Sequence, residues 1–477
     1  MAKILNKAIL IFSFFSLFVS MASAQDNLEK GKSAIKSGDY VTALSYLKSA
    51  VANDNNYESY TYYGLALLKT GSLTEAESYL NKALGKDDEG ILALKTLGDL
   101  YSSKRQFDKA DSYYKKAIKL DNENIDLLIS QANNFTSAGK IDDAIKALTL
   151  ATTINKETSS VYNGLGDAYY TRRSYNAAID YYKKALALDA NNAYSHYGLG
   201  NTYFKQKKYT EALVEYTTST KLNPNFAEGY FEAGRLLYFN ENYVSALEAF
   251  QKYAQLKPGS TEGEAYIGKV YYAQGKLDEA LTKLESVVSK EPNSNSANKY
   301  LAYIYIDKKD NAKALSYFQK VPEDVFEVED ILQYARLYTA NGDSVKAFSY
   351  YDKAIKLDSA NELIYYEMGK AYYAKKNYEM AVENFQKSID MGISNLGAYL
   401  GEGVALYELA RYEEAMVKFQ KMAEIDPKYT LSYFYEGMVS LKQNKKDEAI
   451  QYFQKVLEIE PDNKDAKDIL NQLQGTK

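Results

Sequence analysis

Between residues 175 and 188, apolar side chains recur at Tyr175, Ala178, Ile179, Tyr182, Ala185, Leu186 and Leu188, and the polar Asn176, Asp180, Lys183 and Lys184 fall between them. Steps of three and four place all seven on one side of an α-helix. The preceding segment, Val161 to Tyr170, repeats the spacing through Leu165, Ala168 and Tyr169. A short polar stretch, Thr171 to Ser174, separates the two. The pattern predicts two antiparallel helices joined by a tight turn.

That hairpin recurs along the chain. Alanine stands at Ala43, Ala76, Ala110, Ala144, Ala178, Ala212, Ala246, Ala280, Ala314, Ala347, Ala381, Ala415 and Ala449. Ten of the intervals are 34 residues and two are 33. Twelve residues before each alanine is another small residue, Ala132, Ala302 and Ala335 in three cases and glycine in the other ten, as at Gly166 and Gly200. A period of this length is the mark of a stacked-repeat architecture. The repeats are numbered 1 to 13 by these alanines. In repeats 1, 2, 4, 8 and 10 the turn holds Gly38, Gly71, Gly139, Gly275 and Gly342, at the usual C-terminal stop of a helix. Pro224, Pro258, Pro292, Pro427 and Pro461 keep the same register between hairpins, and Pro322 does not. A glycine inside a helix costs about 1 kcal/mol relative to alanine. Ten of them need a reason, and the expected one is close approach of the two helices, small residue against invariant alanine.

The stretch YNGLGDAYY…AAIDYYKKALALD, residues 162 to 189, resembles the tetratricopeptide repeat: a large apolar residue, Leu-Gly, an aromatic three residues on, then alanine, an aromatic four later, alanine, and proline. The resemblance covers residues 28 to 461. It departs from the family where Tyr60, Tyr162 and Tyr230 replace the usual tryptophan, and where Glu402 and Glu436 stand in place of leucine. It implies an all-α fold, a right-handed superhelical solenoid of about thirteen antiparallel helix pairs with a C-terminal capping helix. Repeats would span residues 25–461, and residues 462–477 would cap the last one with a stripe of Ala466, Ile469, Leu470 and Leu473. The stretch VPEDVFEVEDI, residues 321–331, shortens one interval and gathers five acids. It reads either as a tolerated one-residue deletion or as a bend after repeat 9.

The start of the chain reads as a targeting signal. Lys3 and Lys7 precede the apolar run Ala8 to Val19, and Ala22-Ser23-Ala24 offers a small-x-small cleavage site. Cleavage after Ala24 is expected, with export to the periplasm or beyond the cell and no membrane insertion. The absence of cysteine excludes disulfides, thiolate metal ligands and lipid attachment to cysteine. Net charge is −5, and loss of Lys3 and Lys7 takes it to −7. Lysine and arginine form no block of the kind that neutralises phosphates, so nucleic acid is not an expected partner. Tyrosine makes up 48 of 477 residues while arginine is scarce. Compositional bias alone explains such an excess unless the rings can be given work.

Little in the sequence suggests catalysis. The lone histidine, His196, falls where the family places a packing aromatic, and no glycine-rich phosphate loop is present. Metal ligation needs several convergent ligands. The expectation is a non-enzymatic protein without cofactor or metal. The resemblance implies that the first helix of each pair lines a concave groove. Residues spaced four and then three apart share a stripe there: Asn163, Asp167 and Tyr170; Tyr197, Asn201 and Phe204; Phe231, Arg235 and Tyr238; Lys269 and Tyr272; then Tyr303, Arg336 and Lys370. The middle residue of the stripe turns from Asp167 and Asn201 to Arg235, Lys269, Arg336 and Lys370. Arginine suits bidentate carboxylate contacts. The expected ligand is therefore a peptide or protein with an acidic segment, bound at repeats 7 to 11. A glycan or peptidoglycan stacked on the aromatic rim is the other reading, and simple packing of those rings is the plain one.

Overall fold

The computed structural model describes residues 24–392 and 395–475. Apart from Ala24, the expected leader lies outside them. Among the described residues the regular elements are helices α1 (24–36) to α27, one 3₁₀ turn, and no strand. Sequence-consecutive helices pack as hairpins, for example α9 (Ser159–Thr171) with α10 (Tyr175–Leu188), and α11 (Ala193–Lys205) with α12 (Tyr209–Leu222). The chain divides into two compact halves between Gly263 and Glu264.

The packing rule inside each hairpin is more specific than the sequence suggested. All thirteen repeat alanines are buried, none more than 1 % exposed. The small residue of the first helix, however, faces chiefly the large side chain four positions after the alanine. A Cβ on Gly166 would lie 2.6 Å from the Tyr182 ring. On Gly200 it would meet Tyr216 at 2.6 Å, on Gly268 Leu284 at 2.6 Å, and on Gly403 Phe419 at 2.5 Å. Only at Gly64 is the backbone of the alanine among the nearest atoms, with the Ala76 carbonyl oxygen at 3.5 Å. The glycine is a flat seat for a ring or a leucine. Burying such a side chain is worth about 1.5–3 kcal/mol, which exceeds the ~1 kcal/mol cost of the glycine.

The turns are equally regular. The fifth residue before every repeat alanine has positive φ. Five are the glycines anticipated, with φ of 72° to 87°. The other eight include Arg173 (64°), Lys207 (62°) and Ala410 (59°), residues that enter the left-handed region at a cost of about 1–2 kcal/mol. Paired closing bonds hold the geometry: in repeat 1, Gly38 N–H donates to Ile35 O at 3.0 Å and Asp39 N–H to Ala34 O at 2.9 Å.

The 321–331 stretch ends α18 (Asn311–Phe318) early and inserts the 3₁₀ turn Glu323–Val325 before α19 (Val328–Ala340). Val321 and Phe326 are buried in the same cluster as Phe318, Tyr334 and Tyr351, so the core runs through this segment. The division between compact halves falls elsewhere. At the C-terminus α27 (Lys464–Gln474) buries Ala466 and Leu470 against Phe453 and Val456.

The two glutamates that stand for leucine are both 2 % exposed. Glu402 pairs with Lys418 at 2.9 Å, three residues after its repeat alanine. In repeat 13 that place holds Tyr452. With no cation supplied, burial pushes the Glu436 carboxyl up to about 7.

Two outcomes follow. Gly166→Val should cost about 1–3 kcal/mol in urea unfolding, and Gly166→Val with Tyr182→Leu should cost less than the sum of the two; strict additivity would contradict the seat. Glu436 ionises near 4.5 when unfolded but near 7 when folded. Its carboxyl is neutral in both states at acid pH, and stability falls as pH rises through this window. The gain from Glu436→Gln should therefore grow by about 3 kcal/mol between pH 4 and 8, and a gain independent of pH would refute the assignment.

Candidate functional site

The stripe residues of the N-terminal half lie on first helices α9, α11 and α13 (Ala227–Phe239). Asn163 is buried and the other eight are half-buried. Their acceptors are already used. Asp167 accepts Tyr182 Oη–H at 2.6 Å on one oxygen and Tyr194 Oη–H at 2.8 Å on the other. Asn201 Oδ1 accepts Tyr216 Oη–H at 2.8 Å, and Asn163 Oδ1 accepts Ser195 Oγ–H at 2.6 Å. Desolvation raises the Asp167 pKa, and the two tyrosine hydroxyls pull it partly back. In these repeats the acid or amide in the middle of the stripe serves the seated tyrosine, as Asp99 does Tyr114 at 2.7 Å, whereas Arg336 stands beside seated Tyr351 and Asn133 beside seated Leu148. Where that side chain is Phe250 or Phe385, there is no hydroxyl to satisfy, and the middle residue is Arg235 or Lys370.

The rim aromatics pair with the ring that opens the second helix of their own repeat. Tyr170 meets Tyr175 at 5.9 Å, Phe204 meets Tyr209 at 5.5 Å and Tyr238 meets Tyr243 at 5.8 Å between centroids. Tyr197 packs on Phe226 at 5.0 Å and Phe231 on Tyr253 at 4.9 Å. Arg235 lies between Phe204 and Phe231, its guanidinium carbon 5.7 and 6.0 Å from their centroids. Its Nη1 donates to Glu232 at 2.9 Å, while its Nε is buried with no partner. Burial raises the Glu232 pKa and Arg235 lowers it again. Beside Arg235 is a cavity of about 600 Å³ walled by Phe204, Tyr209, Leu213, Leu236 and Phe239.

In the C-terminal half the positive residues have carboxylate or aromatic neighbours. Lys269 stands over the Tyr266 ring at 4.2 Å, and Tyr272 packs on Tyr300 and Tyr303 at 5.6 and 6.3 Å. The Tyr303 hydroxyl and Lys299 (at 3.0 Å) both reach Asp330, which is 2 % exposed and also accepts the Glu327 N–H at 2.9 Å. Arg336 pairs with Glu367 at 3.1 Å and Glu329 at 3.3 Å, and Lys370 pairs with the same Glu367 at 3.1 Å. Three of the five acids in the 321–331 stretch are engaged in this way or, like Glu323 with Tyr350 at 2.6 Å, in a similar one. Asp330, Glu367, Glu232 and Tyr194 were not anticipated. A signal was present, because Lys299 to Asp330 and Arg336 to Glu367 are each opposite charges 31 residues apart. His196 bonds Glu215 at 2.6 Å between α11 and α12. Among the described residues no cluster of three metal-binding side chains occurs, and no helix is long and apolar enough to cross a membrane.

Family profiles described as "Tetratricopeptide repeat" match residues 28–91, 96–124, 267–324, 331–361, 366–430 and 430–463, and one described as "TPR repeat" matches 166–207 and 200–240. The chain is a tetratricopeptide-repeat protein. Solved structures similar to it include the "APC/C hetero-tetramer Cut9-Hcn1", at 13 % identity over 96 % of this chain and 97 % of that one, with a TM-score of 0.45. A tetratricopeptide repeat protein from Parabacteroides merdae matches at 19 % identity over 52 % of this chain and 98 % of its own, TM-score 0.43. The pilF protein of Pseudomonas aeruginosa matches at 23 % over 45 % and 97 %, TM-score 0.36. No curated protein matches. Tetratricopeptide repeats in general are scaffolds for protein–protein interaction.

The tetratricopeptide array therefore uses most polar groups of its first-helix face for its own cohesion. Glu367 is 6 % exposed, and an unpaired buried carboxylate costs about 3–5 kcal/mol. Lys370 still pairs with Glu367 at 3.1 Å, so Arg336→Met should lower stability by less than that amount in urea unfolding. Arg336→Met with Glu367→Leu should recover most of it, and a double variant no better than the single would argue against the pair.

Proposed function

We propose that this protein is an exported, non-enzymatic scaffold whose first-helix face in repeats 5 to 7 holds a peptide segment of a partner protein. The observation that carries the reading is the cavity beside Arg235. It is apolar, it has room for more than one large side chain, and it has at its wall a guanidinium whose Nε lacks a partner. A bound segment would bury an apolar side chain against Leu213, Leu236 and Phe239 and place a carboxylate or carbonyl oxygen on Arg235. An acidic residue next to the apolar one suits Arg235 best. Lys299, Arg336 and Lys370 offer an acidic segment less, because protein carboxylates already neutralise them. Export rests on the leader read in residues 1–24 and places the partner in the periplasm or outside the cell.

Peptides selected from a random library on residues 25–477 should contain an apolar residue beside an acid. Arg235→Glu and Leu213→Glu should each weaken them at least tenfold with helical content unchanged. Affinity should also fall with added salt. Binding indifferent to both substitutions sinks the site. Salt-independent binding of neutral glycan fragments instead would support the stacking alternative on Tyr170, Phe204 and Tyr238. The leader is checked separately: the protein recovered from its own host should begin at Gln25.

A further inference from the structure

Four repeats lay two tyrosines flat against each other on their second-helix side. The pairs Tyr101–Tyr113, Tyr169–Tyr181, Tyr305–Tyr317 and Tyr338–Tyr350 have centroids 5.4, 5.1, 5.6 and 5.5 Å apart and planes within 15° of parallel. Six residues after the repeat alanine a lysine stands over the second ring of each pair: Lys116 at 5.5 Å, Lys184 at 4.9 Å, Lys320 at 4.5 Å and Lys353 at 4.4 Å. These stacks fill the space between successive second helices.

Repeat 4 breaks the series between two repeats that keep it. Phe135 and Ala147 occupy the two ring positions, and Leu150 takes the place of the lysine. What remains between α6 (Phe107–Leu120), α7 (Ile125–Ser137) and α8 (Ile141–Ile154) is a cavity of about 870 Å³. Leu128 and Phe135 line it, with Leu150, which is 50 % exposed. Repeat 7 also has alanine at this position, but Ala249 is buried, whereas Ala147 is not. The missing ring of repeat 4 is therefore open to solvent.

The surroundings are positive although the chain as a whole carries −5. Lys115, Lys119, Lys140 and Lys146 line the cavity with Asp111 and Asp143. Lys140 also borders an adjoining hollow of about 410 Å³ that adds Arg105, Lys109 and Asp108. Six cations thus face three carboxylates: Lys115 pairs with Asp111 at 2.6 Å, Lys140 with Asp108 at 2.8 Å and Lys146 with Asp143 at 3.4 Å, and the excess positive charge is that of Lys119, Lys109 and Arg105. Neighbouring repeats show what such a place holds: an aromatic ring, stacked on the first-helix ring and covered by an ammonium group.

We propose that the open slot of repeat 4 is a second binding site, independent of the first-helix face, for a partner protein's acidic segment that inserts one aromatic side chain over Phe135. The ring occupies the space beside Ala147 and Leu150. Flanking carboxylates meet Lys119 and, in the adjoining hollow, Arg105.

The chain has no tryptophan, so a glutamate-rich peptide with a single tryptophan carries the only indole in solution. Its emission should shift to the blue, saturably, on mixing with residues 25–477. Ala147→Tyr restores the neighbours' stack and should keep or raise stability while weakening the peptide at least tenfold. Leu150→Lys supplies the ammonium that covers the ring in neighbouring repeats and should keep or raise affinity, and Arg235→Glu should leave this binding unchanged. The proposal is overturned by absence of the shift, by full affinity in Ala147→Tyr, or by equal affinity for the same peptide with glutamine in place of glutamate. Self-association that Ala147→Tyr removes would overturn it too, by making a second copy the occupant.

Discussion

The seat of a large side chain on a residue with little or no side chain is the contact on which the rest depends. In each repeat the first helix gives up its own side chain at one position so that Leu, Tyr or Phe from the second helix can lie against its backbone. Burial of that side chain outweighs the helical cost of glycine. Because the seat and the seated residue are sixteen positions apart, the contact also fixes the length of the turn. That is why eight turns hold a non-glycine residue in the left-handed region: the strain is small beside a misplaced core side chain.

From the seat comes the polar pattern of the first-helix face. A seated tyrosine carries a hydroxyl to the edge of that face, where a buried oxygen needs a partner. Asp99, Asp167 and Asn201 supply it. A seated phenylalanine leaves the next position unconstrained, and cations appear. In repeats 3, 5, 6, 7 and 11 the sign of that position follows the ring underneath, while Arg336, beside seated Tyr351, answers Glu367 and Glu329 instead. Only after that bookkeeping can a residue be considered for a ligand, and Arg235, with a buried Nε left over beside an apolar cavity, is the one that stands out in its half.

The fold was legible because thirteen copies of a helical period agree in register, and so were the five glycine turns. The partner of the glycine was not. Alanine and the seated residue are both apolar and both on the inward face, and spacing alone does not say which of them touches the seat. The eight other left-handed turns were hidden because Arg173, Lys207 or Glu241 carry no mark of positive φ. The stripe on the first helices was legible as a line of residues, but its pairing was not. Lys299 with Asp330 and Arg336 with Glu367 are set by how one repeat stacks on the next, and their shared offset of 31 acquires meaning only from the packed hairpins. The tyrosine excess does have work: seats, stacks and hydroxyl donors account for many of the rings whatever bias supplied them.

Some seated side chains touch two seats. Tyr182 lies against Gly166 in its own repeat and Gly198 in the next, and Phe385 against Gly369 and Gly401. The repeats are therefore not interchangeable modules. A gene duplication that copied repeat 5 in front of repeat 7 would set Tyr182 against Glu232, where the present neighbour offers Gly198. At those junctions the content of one copy is matched to the copy that follows, and a rearranged array would have to repack the ring that bridges them.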